Sequence, residues 1–335
     1  MLKGLRRLVH PVSKGGQPAR AAGRWFSRDE SIMGTAIHVE LWSDDAAQAT
    51  AAIDAVMDEM HRIDALMSPY KESSELSRIN RDAARQPVEV CAELFDLLAR
   101  SIALSELSGG AFDITYASVG HLYDYRKRIR PSAEQLAVAR EAIGYRYLHL
   151  DPASRTVRFA REGMRIDLGG FAKGHAVENG ADILARRGVR HAAVSAGGDS
   201  RMLGDRCGRP WTIGIRDPRR AGEVAALLPL EDVAVSTSGD YERYFDDGEE
   251  RCHHLLDPRT GRSPQAVHSV TVIAPDGRTS EALSKTVFVL GVEQGLRIVE
   301  SLADVDAVVL DVGGKLHFST GLVGGTGPAA HPVRS

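Results

Sequence analysis

The spacing of apolar residues predicts the first elements of this chain. From residue 35 to residue 42, apolar and polar positions alternate, which predicts a strand with one buried face. After Ser43, the predicted helix cap, apolar residues recur at every third or fourth position until Met67, which predicts an amphipathic helix. A second helix is predicted over residues 92–107, because Ser108 and two glycines follow it.

The rest of the chain alternates short apolar runs with turn residues. Strands are predicted at 147–150, 156–159, 189–195, 211–215, 233–236, 253–256, 269–274, 307–311 and 315–319, and helices at 171–187, 281–290 and 293–302. Neighbouring strands without a helix between them outnumber strand-helix-strand units. The pattern therefore predicts an α+β fold: a single domain with a largely antiparallel sheet flanked by helices.

Both ends of the chain are predicted to lie outside this domain. The first residues include Arg6 and Arg7, but the apolar run that a signal peptide needs is too short. We expect a mobile tail over residues 1–29, the domain over 30–322 and a second tail over 323–335. No run of about 18 apolar residues occurs, so we expect no transmembrane segment and a cytoplasmic location.

Charge and cysteine content argue against several classes of protein. Lys and Arg total 42 against 45 Asp and Glu, a net charge of -3, so we expect no nucleic-acid partner. Cys91, Cys207 and Cys252 are odd in number and lack C-x-x-C spacing, which argues against a disulfide framework or a metal cluster. The composition agrees with a soluble enzyme without identifying it.

A glycine-rich segment precedes the helix predicted at 171–187. It contains Asp167, Gly169, Gly170, Lys173 and Gly174. Glycines at a helix start let backbone N–H groups approach an anion, which the positive end of the helix dipole also stabilises. The segment predicts a site for a phosphorylated ligand, with a tight turn as the alternative.

His254 is the best candidate for a general base. It ends an apolar run and precedes Asp257-Pro258, where a turn would hold it at the edge of a cleft. His253 would point to the opposite face of the predicted strand, so only one of the two histidines should serve. A strand histidine satisfied by a neighbour is the alternative.

Five segments, taken together and in order, resemble one family. They are residues 68–80, 109–115, the D-L-G-G-x-A-K-G run from Asp167, residues 195–199, and the H-x-x-D-P-x-T-G run from His254. They are similar to the ApbE family, the FAD:protein FMN transferases or flavin transferases. The resemblance extends from about residue 32 to about residue 322.

The resemblance implies roles for individual residues. His254 would activate the acceptor hydroxyl, and Asp257 would orient the turn. The positions that match flavin contacts are Met33, Tyr70, Ala111, Phe112, Asp113, Asp167, Lys173 and Leu255. A helix cap remains the alternative for Asp167, and a place in the core remains the alternative for Met33.

The expected metal site departs from the family pattern. The family commonly has D-A-L-x-T, whose Asp and Thr hold Mg²⁺ with a carbonyl of the D-L-G-G segment. Here Glu281 and Lys285 replace that Asp and Thr, and Ser284 and the Gly170 carbonyl are possible further ligands. Mg²⁺ binding would be weakened or altered, or the Lys285 charge would stand in for part of the metal; a solvated helix residue is the third alternative.

The resemblance implies a specific reaction. We expect the FMN moiety of FAD to be transferred to a Thr or Ser hydroxyl of an acceptor flavoprotein, with release of AMP and with Mg²⁺ assistance. The alternatives are a flavin-binding paralogue without transferase activity and an FAD hydrolase that gives FMN and AMP. Family members commonly act outside the cytoplasmic membrane, so a periplasmic location is the alternative to a cytoplasmic one.

Overall fold

The computed structural model describes residues 23–216, 224–248 and 250–323. Within them the strands are β1 (Arg24–Ile32), β2 (Thr35–Ser43), β3 (Val88–Glu89), β4 (Leu148–Asp151), β5 (Thr156–Phe159), β6 (Ala192–Ala196), β7 (Asp199–Leu203), β8 (Trp211–Arg216), β9 (Val224–Leu230), β10 (Ala234–Gly239), β11 (Tyr244–Asp247), β12 (Glu250–His253), β13 (Val267–Ala274), β14 (Asp306–Asp311) and β15 (Leu316–Phe318). The α-helices are α1 (Ala46–Met67), α2 (Glu75–Asp82), α3 (Ala92–Leu107), α4 (Ala117–Gly120), α5 (Ala133–Arg140), α6 (Ala172–Arg186), α7 (Gly277–Glu300) and α8 (Thr320–Val323).

An eight-stranded sheet forms the centre of the fold. Its strand order is β1-β2-β6-β7-β10-β13-β14-β15, and every neighbouring pair is antiparallel. The alternation in β2 buries Ile37, Val39 and Leu41 in one cluster with residues of α1 and α6. The α+β prediction with a largely antiparallel sheet is confirmed.

The two faces of this sheet are covered differently. Helices α1, α6 and α7 contact one another and the sheet strands on one side. On the other side the β8–β9 hairpin contributes Trp211 and Leu230 to a cluster with Val235 and Ile273. No helix in the described part of the chain combines the length and apolar character needed to cross a membrane.

Two predicted boundaries near the chain start are wrong. Residues 24–29 were expected in the tail but belong to β1, a mostly polar strand at the edge of the sheet with few buried positions. The predicted cap Ser43 is the last residue of β2, and the N-cap of α1 is Asp45, whose Oδ1 accepts from the N–H groups of Ala47 and Gln48. The rest of the predicted first tail, residues 1–22, and residues 324–335 of the second lie outside the described residues.

Two predicted elements near the site also differ. The strand predicted at 253–256 ends earlier, because β12 finishes at His253 and His254 lies in the turn that follows. The two helices predicted at 281–290 and 293–302 form the single element α7, which starts at Gly277 and is interrupted at Gly291, where φ is 76° and ψ is -177°. Only glycine adopts such a backbone conformation without strain, so the interruption lies at a residue suited to it.

Candidate active site

Three chain segments meet at one end of the large sheet. The β1–β2 turn contains Met33 and Gly34 with φ of 55° and 69°. A Cβ built on Gly197, in the β6–β7 turn, would lie 2.6 Å from Thr35 Oγ1, and one on Gly198 would lie 2.6 Å from the carbonyl oxygen of Thr237. The glycines therefore allow the turns and β10 to approach closely, at the edge where α6 and α7 begin.

The glycine-rich segment works differently from the prediction. Gly174 lets α6 cross α7, because a Cβ there would lie 2.1 Å from the carbonyl oxygen of Gly277. Its N–H donates to Glu281 Oε2 at 2.6 Å. The Gly169 N–H donates to Asp167 Oδ1 at 2.5 Å. Two of the three predicted anion-binding glycines thus use their N–H groups within the protein.

Four charged side chains form a buried cluster where α6, β7 and α7 meet. Lys173 Nζ donates to Asp199 Oδ2 and to Glu281 Oε1, and Lys285 Nζ donates to Glu281 Oε1 at 3.1 Å. Lys285 Nζ also lies 4.0 Å from Asp199 Oδ1. We call these residues the lysine–carboxylate cluster. Two ammonium groups and two carboxylates make it neutral overall.

The pKa shifts of Lys173 and Asp199 favour the charged forms of these two side chains. Burial opposes charge on Lys173, yet the carboxylates of Asp199 and Glu281 outweigh it and raise the pKa of Lys173. Burial likewise opposes charge on Asp199, and its neighbours Lys173 and Lys285 outweigh that effect and lower the pKa of Asp199. Lys173 was predicted to touch FAD, but its ammonium is already held by these two carboxylates.

The residues of this cluster do not fit Mg²⁺. Glu281 already accepts from two ammonium groups and one N–H, and the Lys285 ammonium lies among the oxygens that a metal would need. Two unit charges 4 Å apart repel by about 4 kcal/mol at an effective dielectric near 20, and a divalent ion would meet about twice that from each lysine. In the described part of the chain, no group of three or more His, Cys, Asp or Glu side chains is placed to hold a metal.

The predicted metal residues take other positions as well. Ser284 is buried, donates to the carbonyl oxygen of Glu281 at 2.8 Å and lies 2.8 Å from Ser238 Oγ, so its hydroxyl is engaged with β10 and its own helix. Coordination of a metal by Ser284 stays a prediction. A Cβ built on Gly170 would lie 3.8 Å from the Cγ and Cε atoms of Lys285. The Lys285 stem passes beside Gly170 and is not the solvated helix residue considered above.

His254 lies in a turn beside this cluster. Its N–H donates to the carbonyl oxygen of Arg243 at 3.1 Å, and its buried Nδ1 has no hydrogen-bond partner among the described residues. Burial first, then His253 and the cations Lys285, Arg243 and Lys173, lower the pKa of His254 to about 3. The imidazole is therefore neutral at physiological pH, the form that can accept a proton.

His253 differs from its neighbour. Its ring is buried edge-on against Phe288, and its Nε2 lies 2.9 Å from the carbonyl oxygen of Pro264. Ser263 accepts the His253 N–H and donates to the His253 carbonyl oxygen. These contacts hold His253 in the core, while His254 faces the sheet end that carries the lysine–carboxylate cluster.

Asp257 braces the turn that follows His254. Its Oδ1 accepts from the N–H and Nε of Arg259, and its Oδ2 accepts from the same guanidinium, each at 2.9 Å. Its carbonyl oxygen accepts from the N–H of Gly261 at 2.7 Å, and its N–H donates to the Arg262 carbonyl oxygen. A part for Asp257 in catalysis stays a prediction.

Comparison with known proteins agrees with this geometry. The model of the ApbE family matches residues 33–309. The chain belongs to the ApbE family. The FAD:protein FMN transferase of Treponema pallidum is 32% identical over 323 residues, covering 91% of this chain and 89% of the relative. The FAD:protein FMN transferase of Haemophilus influenzae is 34% identical over 291 residues, covering 82% and 83%.

A solved structure supports the same conclusion. The crystal structure of the ApbE protein from Thermotoga maritima superposes with a TM-score of 0.83 at 32% identity, covering 90% of this chain and 98% of that one. The predicted family membership is confirmed, and the predicted reaction matches the activity for which the relatives are named.

Several residues predicted to contact flavin lie around the site. The ring of Tyr70 is 86% exposed in the turn after α1. Ala111 and Phe112 are buried, and the Phe112 ring centroid lies 6.1 Å from that of Phe171. Met33 is half-buried in the β1–β2 turn and packs against the core cluster. Their contacts with flavin stay predictions.

Three further predicted contacts already have partners within this ApbE protein. Asp113 Oδ1 accepts from the N–H and hydroxyl of Thr115, and its Oδ2 accepts from the N–H of Tyr145. Leu255 is buried in a cluster with α7 and β13. Burial raises the pKa of Asp167, opposed by the Gly169 N–H and by Arg243. Flavin contact by these residues stays a prediction.

Sequence reasoning missed two charged residues of the site. Asp199 was included only within residues 195–199 of the family resemblance, although it follows the glycine pair at the start of β7 and joins the lysine–carboxylate cluster. Arg243 carries no motif, yet a Cβ on Gly34 would lie 3.9 Å from its guanidinium, and its charge lowers the pKa of His254. A buried acid after two glycines was the one available signal.

Proposed function

We propose that this chain transfers the FMN moiety of FAD to a Thr or Ser hydroxyl of an acceptor flavoprotein and releases AMP. Membership of a family whose relatives carry that name supports the reaction class. The observation that carries it within the molecule is His254, a neutral imidazole beside the lysine–carboxylate cluster, whose buried Nδ1 has no partner among the described residues.

The proposed reaction makes one bond and breaks one. The acceptor hydroxyl oxygen bonds to the phosphorus of the FMN half, and the bond from that phosphorus to the bridging pyrophosphate oxygen breaks, so AMP leaves with that oxygen. His254 takes the hydroxyl proton. Lys173, Lys285 and Arg243 supply positive potential for the pyrophosphate.

The proposed FAD site extends from this centre to the predicted flavin contacts. The Met33 turn, Tyr70 and the Ala111–Phe112–Asp113 loop would enclose the isoalloxazine ring, and Asp167 would contact the same ligand. Exposed Tyr70 and buried Phe112 would offer apolar ring surfaces. The proposed reaction has no step through Mg²⁺, because two ammonium groups and one backbone N–H already engage the Glu281 oxygens.

One experiment separates this function from its alternatives. Purified protein is mixed with FAD, with and without an acceptor flavoprotein that has not yet been flavinylated, and AMP and protein-bound flavin are measured. AMP together with a covalent flavin adduct, only when acceptor is present, supports transfer. AMP without acceptor indicates an FAD hydrolase. FAD binding that raises the melting temperature without AMP indicates a flavin-binding paralogue.

A further inference from the structure

The positive and negative charges of the lysine–carboxylate cluster balance without an added cation. Asp199 and Glu281 carry two negative charges, and Lys173 and Lys285 carry two positive ones. A hydroxyl at position 285, as in the common family motif, would leave a net charge of about minus one around Glu281. Such a site would attract a metal cation, whereas the present one does not need it.

The depth of each group shows which of them meets a ligand. The side chains of Glu281 and Asp199 are 0% and 2% exposed, while those of Lys285 and Lys173 are 17% and 25% exposed. The ammonium groups therefore lie between the carboxylates and the open side of the site. Both ammonium groups also lie close enough to His254 to lower its pKa.

One buried oxygen in the cluster supports a ligand-facing position. Asp199 Oδ1 finds no hydrogen-bond partner among the described residues, although Lys285 Nζ lies only 4.0 Å from it. Buried acceptors are nearly always satisfied, so this oxygen is an incompletely satisfied acceptor next to the Lys285 ammonium.

We propose that the Lys285 ammonium takes the place of the divalent cation in this site, so that FAD is bound through its pyrophosphate and AMP is released without a bound metal ion. This rests on the proposed function, because FAD is the ligand. Lys285 neutralises the carboxylates that would otherwise bind a metal, and its ammonium charge faces the pyrophosphate. Bonds are made and broken as in the proposed transfer.

Metal binding to the FAD-free protein tests this directly. Mn²⁺ is titrated into the wild type, Lys285→Thr and Lys285→Arg, and free Mn²⁺ is followed by electron paramagnetic resonance. Lys285→Thr should bind Mn²⁺ at least about tenfold more tightly than the wild type, because a repelling charge is gone and a hydroxyl is gained. Lys285→Arg should not gain affinity. Equal affinity of the wild type and Lys285→Thr overturns the proposal.

A matched control removes a lysine elsewhere. Lys315 is exposed in the β14–β15 turn, away from the cluster. Lys315→Thr should bind Mn²⁺ as weakly as the wild type. A gain in Lys315→Thr equal to that in Lys285→Thr would show that overall charge, rather than position 285, governs binding, and this also overturns the proposal.

Measurements of AMP release distinguish failure of the inference from failure of the proposed function. With FAD and acceptor, AMP release by the wild type in EDTA should stay within about twofold of that in Mg²⁺, while Lys285→Thr should lose about tenfold or more in EDTA and recover in Mg²⁺. A wild type that releases AMP only with Mg²⁺ overturns the inference and keeps the function. No AMP under any condition defeats the function, and the Mn²⁺ titration still decides the inference.

A folding check completes the design. Circular dichroism and thermal unfolding establish whether Lys285→Thr folds. If Lys285→Thr does not fold, the wild type alone tests the proposal. A Kd for Mn²⁺ below about 0.1 mM, measured in the absence of FAD, overturns the proposal, and a higher Kd supports it.

Discussion

Helix α6 carries two clusters of charged side chains that differ in how completely they are satisfied. At its start, Lys173 joins the lysine–carboxylate cluster, where Asp199 Oδ1 lacks a partner among the described residues. Further along, His175 and Asn179 face α1 and α3. There Glu93 accepts from His175 Nε2 at 2.7 Å, from Asn179 and from both NH groups of Arg62.

The difference between the clusters distinguishes a ligand site from a structural contact between helices. We call the second cluster, formed by Glu59, Arg62, Glu93, His175 and Asn179, the brace. The Arg62 guanidinium binds Glu59 and Glu93 through paired hydrogen bonds of 2.7 Å, which joins α1 to α3, and His175 connects α6 to the same Glu93. The lysine–carboxylate cluster lies beside glycine turns and a neutral histidine, and Asp199 Oδ1 has no hydrogen-bond partner among the described residues. Satisfied charges favour a stabilising role, and an incompletely satisfied charge beside a candidate base favours ligand binding.

The largest expected effect tests how much the lysine–carboxylate cluster also contributes to stability. Glu281→Ala leaves two ammonium groups against one buried carboxylate, so the free energy of unfolding should fall by about 3–5 kcal/mol in urea titrations. Glu293→Ala, on the same helix but 85% exposed and paired only with Arg297, should lose less than about 0.5 kcal/mol. Similar losses in both variants would contradict the buried-pair argument.

A second prediction concerns the base beside the cluster. His254→Asn should reduce the rate of AMP release with acceptor by about 100-fold or more, because proton transfer is lost, and should leave FAD affinity within a few-fold. His253→Asn is the control, and its rate should change much less, since its ring packs on Phe288. Equal rate losses in the two variants would contradict the assignment of His254 as the general base.

A third prediction tests the brace. Glu93→Gln should lower the free energy of unfolding at pH 7 by about 1–2 kcal/mol, because a charged acceptor of Arg62 and His175 becomes neutral. AMP release at saturating FAD should be unchanged when assayed well below the melting temperature. A large loss of activity with intact folding would mean that this cluster belongs to the site.

The brace should also depend on pH in a defined direction. Hydrogen bonding from His175 outweighs burial and, with Arg62, holds the pKa of Glu93 far below its ordinary value of 4.5. A lowered folded-state pKa gives stability that is full above that ordinary value and is lost as pH falls below it. The difference in unfolding free energy between the wild type and Glu93→Gln should therefore shrink from pH 7 to pH 3.

The smallest expected effect is an absence of titration. With its pKa lowered to about 3, His254 in the free enzyme stays neutral through the usual assay range. The kcat/KM for FAD should therefore change by less than about twofold between pH 5.5 and pH 7.5. A fall of tenfold or more over this range, absent in His254→Asn, would show that His254 titrates near its ordinary value.

The sequence by itself determined the fold class, the family and the neighbourhood of the proposed base. Apolar periods of two and of three to four residues depend on local geometry, so residues 92–107 and 156–159 match α3 and β5 at both ends. The polar strand β1 was missed because an edge strand buries little and lacks that alternation. The H-x-x-D-P-x-T-G and D-L-G-G-x-A-K-G motifs were contiguous and therefore visible.

Only the tertiary structure decided what the charged residues do. Lys173 meets Asp199 and Glu281 across separations of 26 and 108 residues, and no local pattern encodes such partners. Gly174 lies in a sequence typical of an anion-binding loop. In the structure a glycine is required there because α6 crosses α7, and a Cβ built on Gly174 would collide with the carbonyl oxygen of Gly277. Lys285 was a departure from a motif in the sequence. Only the structure shows that its ammonium pairs with Glu281 and that its stem passes beside Gly170, where burial makes an unpaired charge costly.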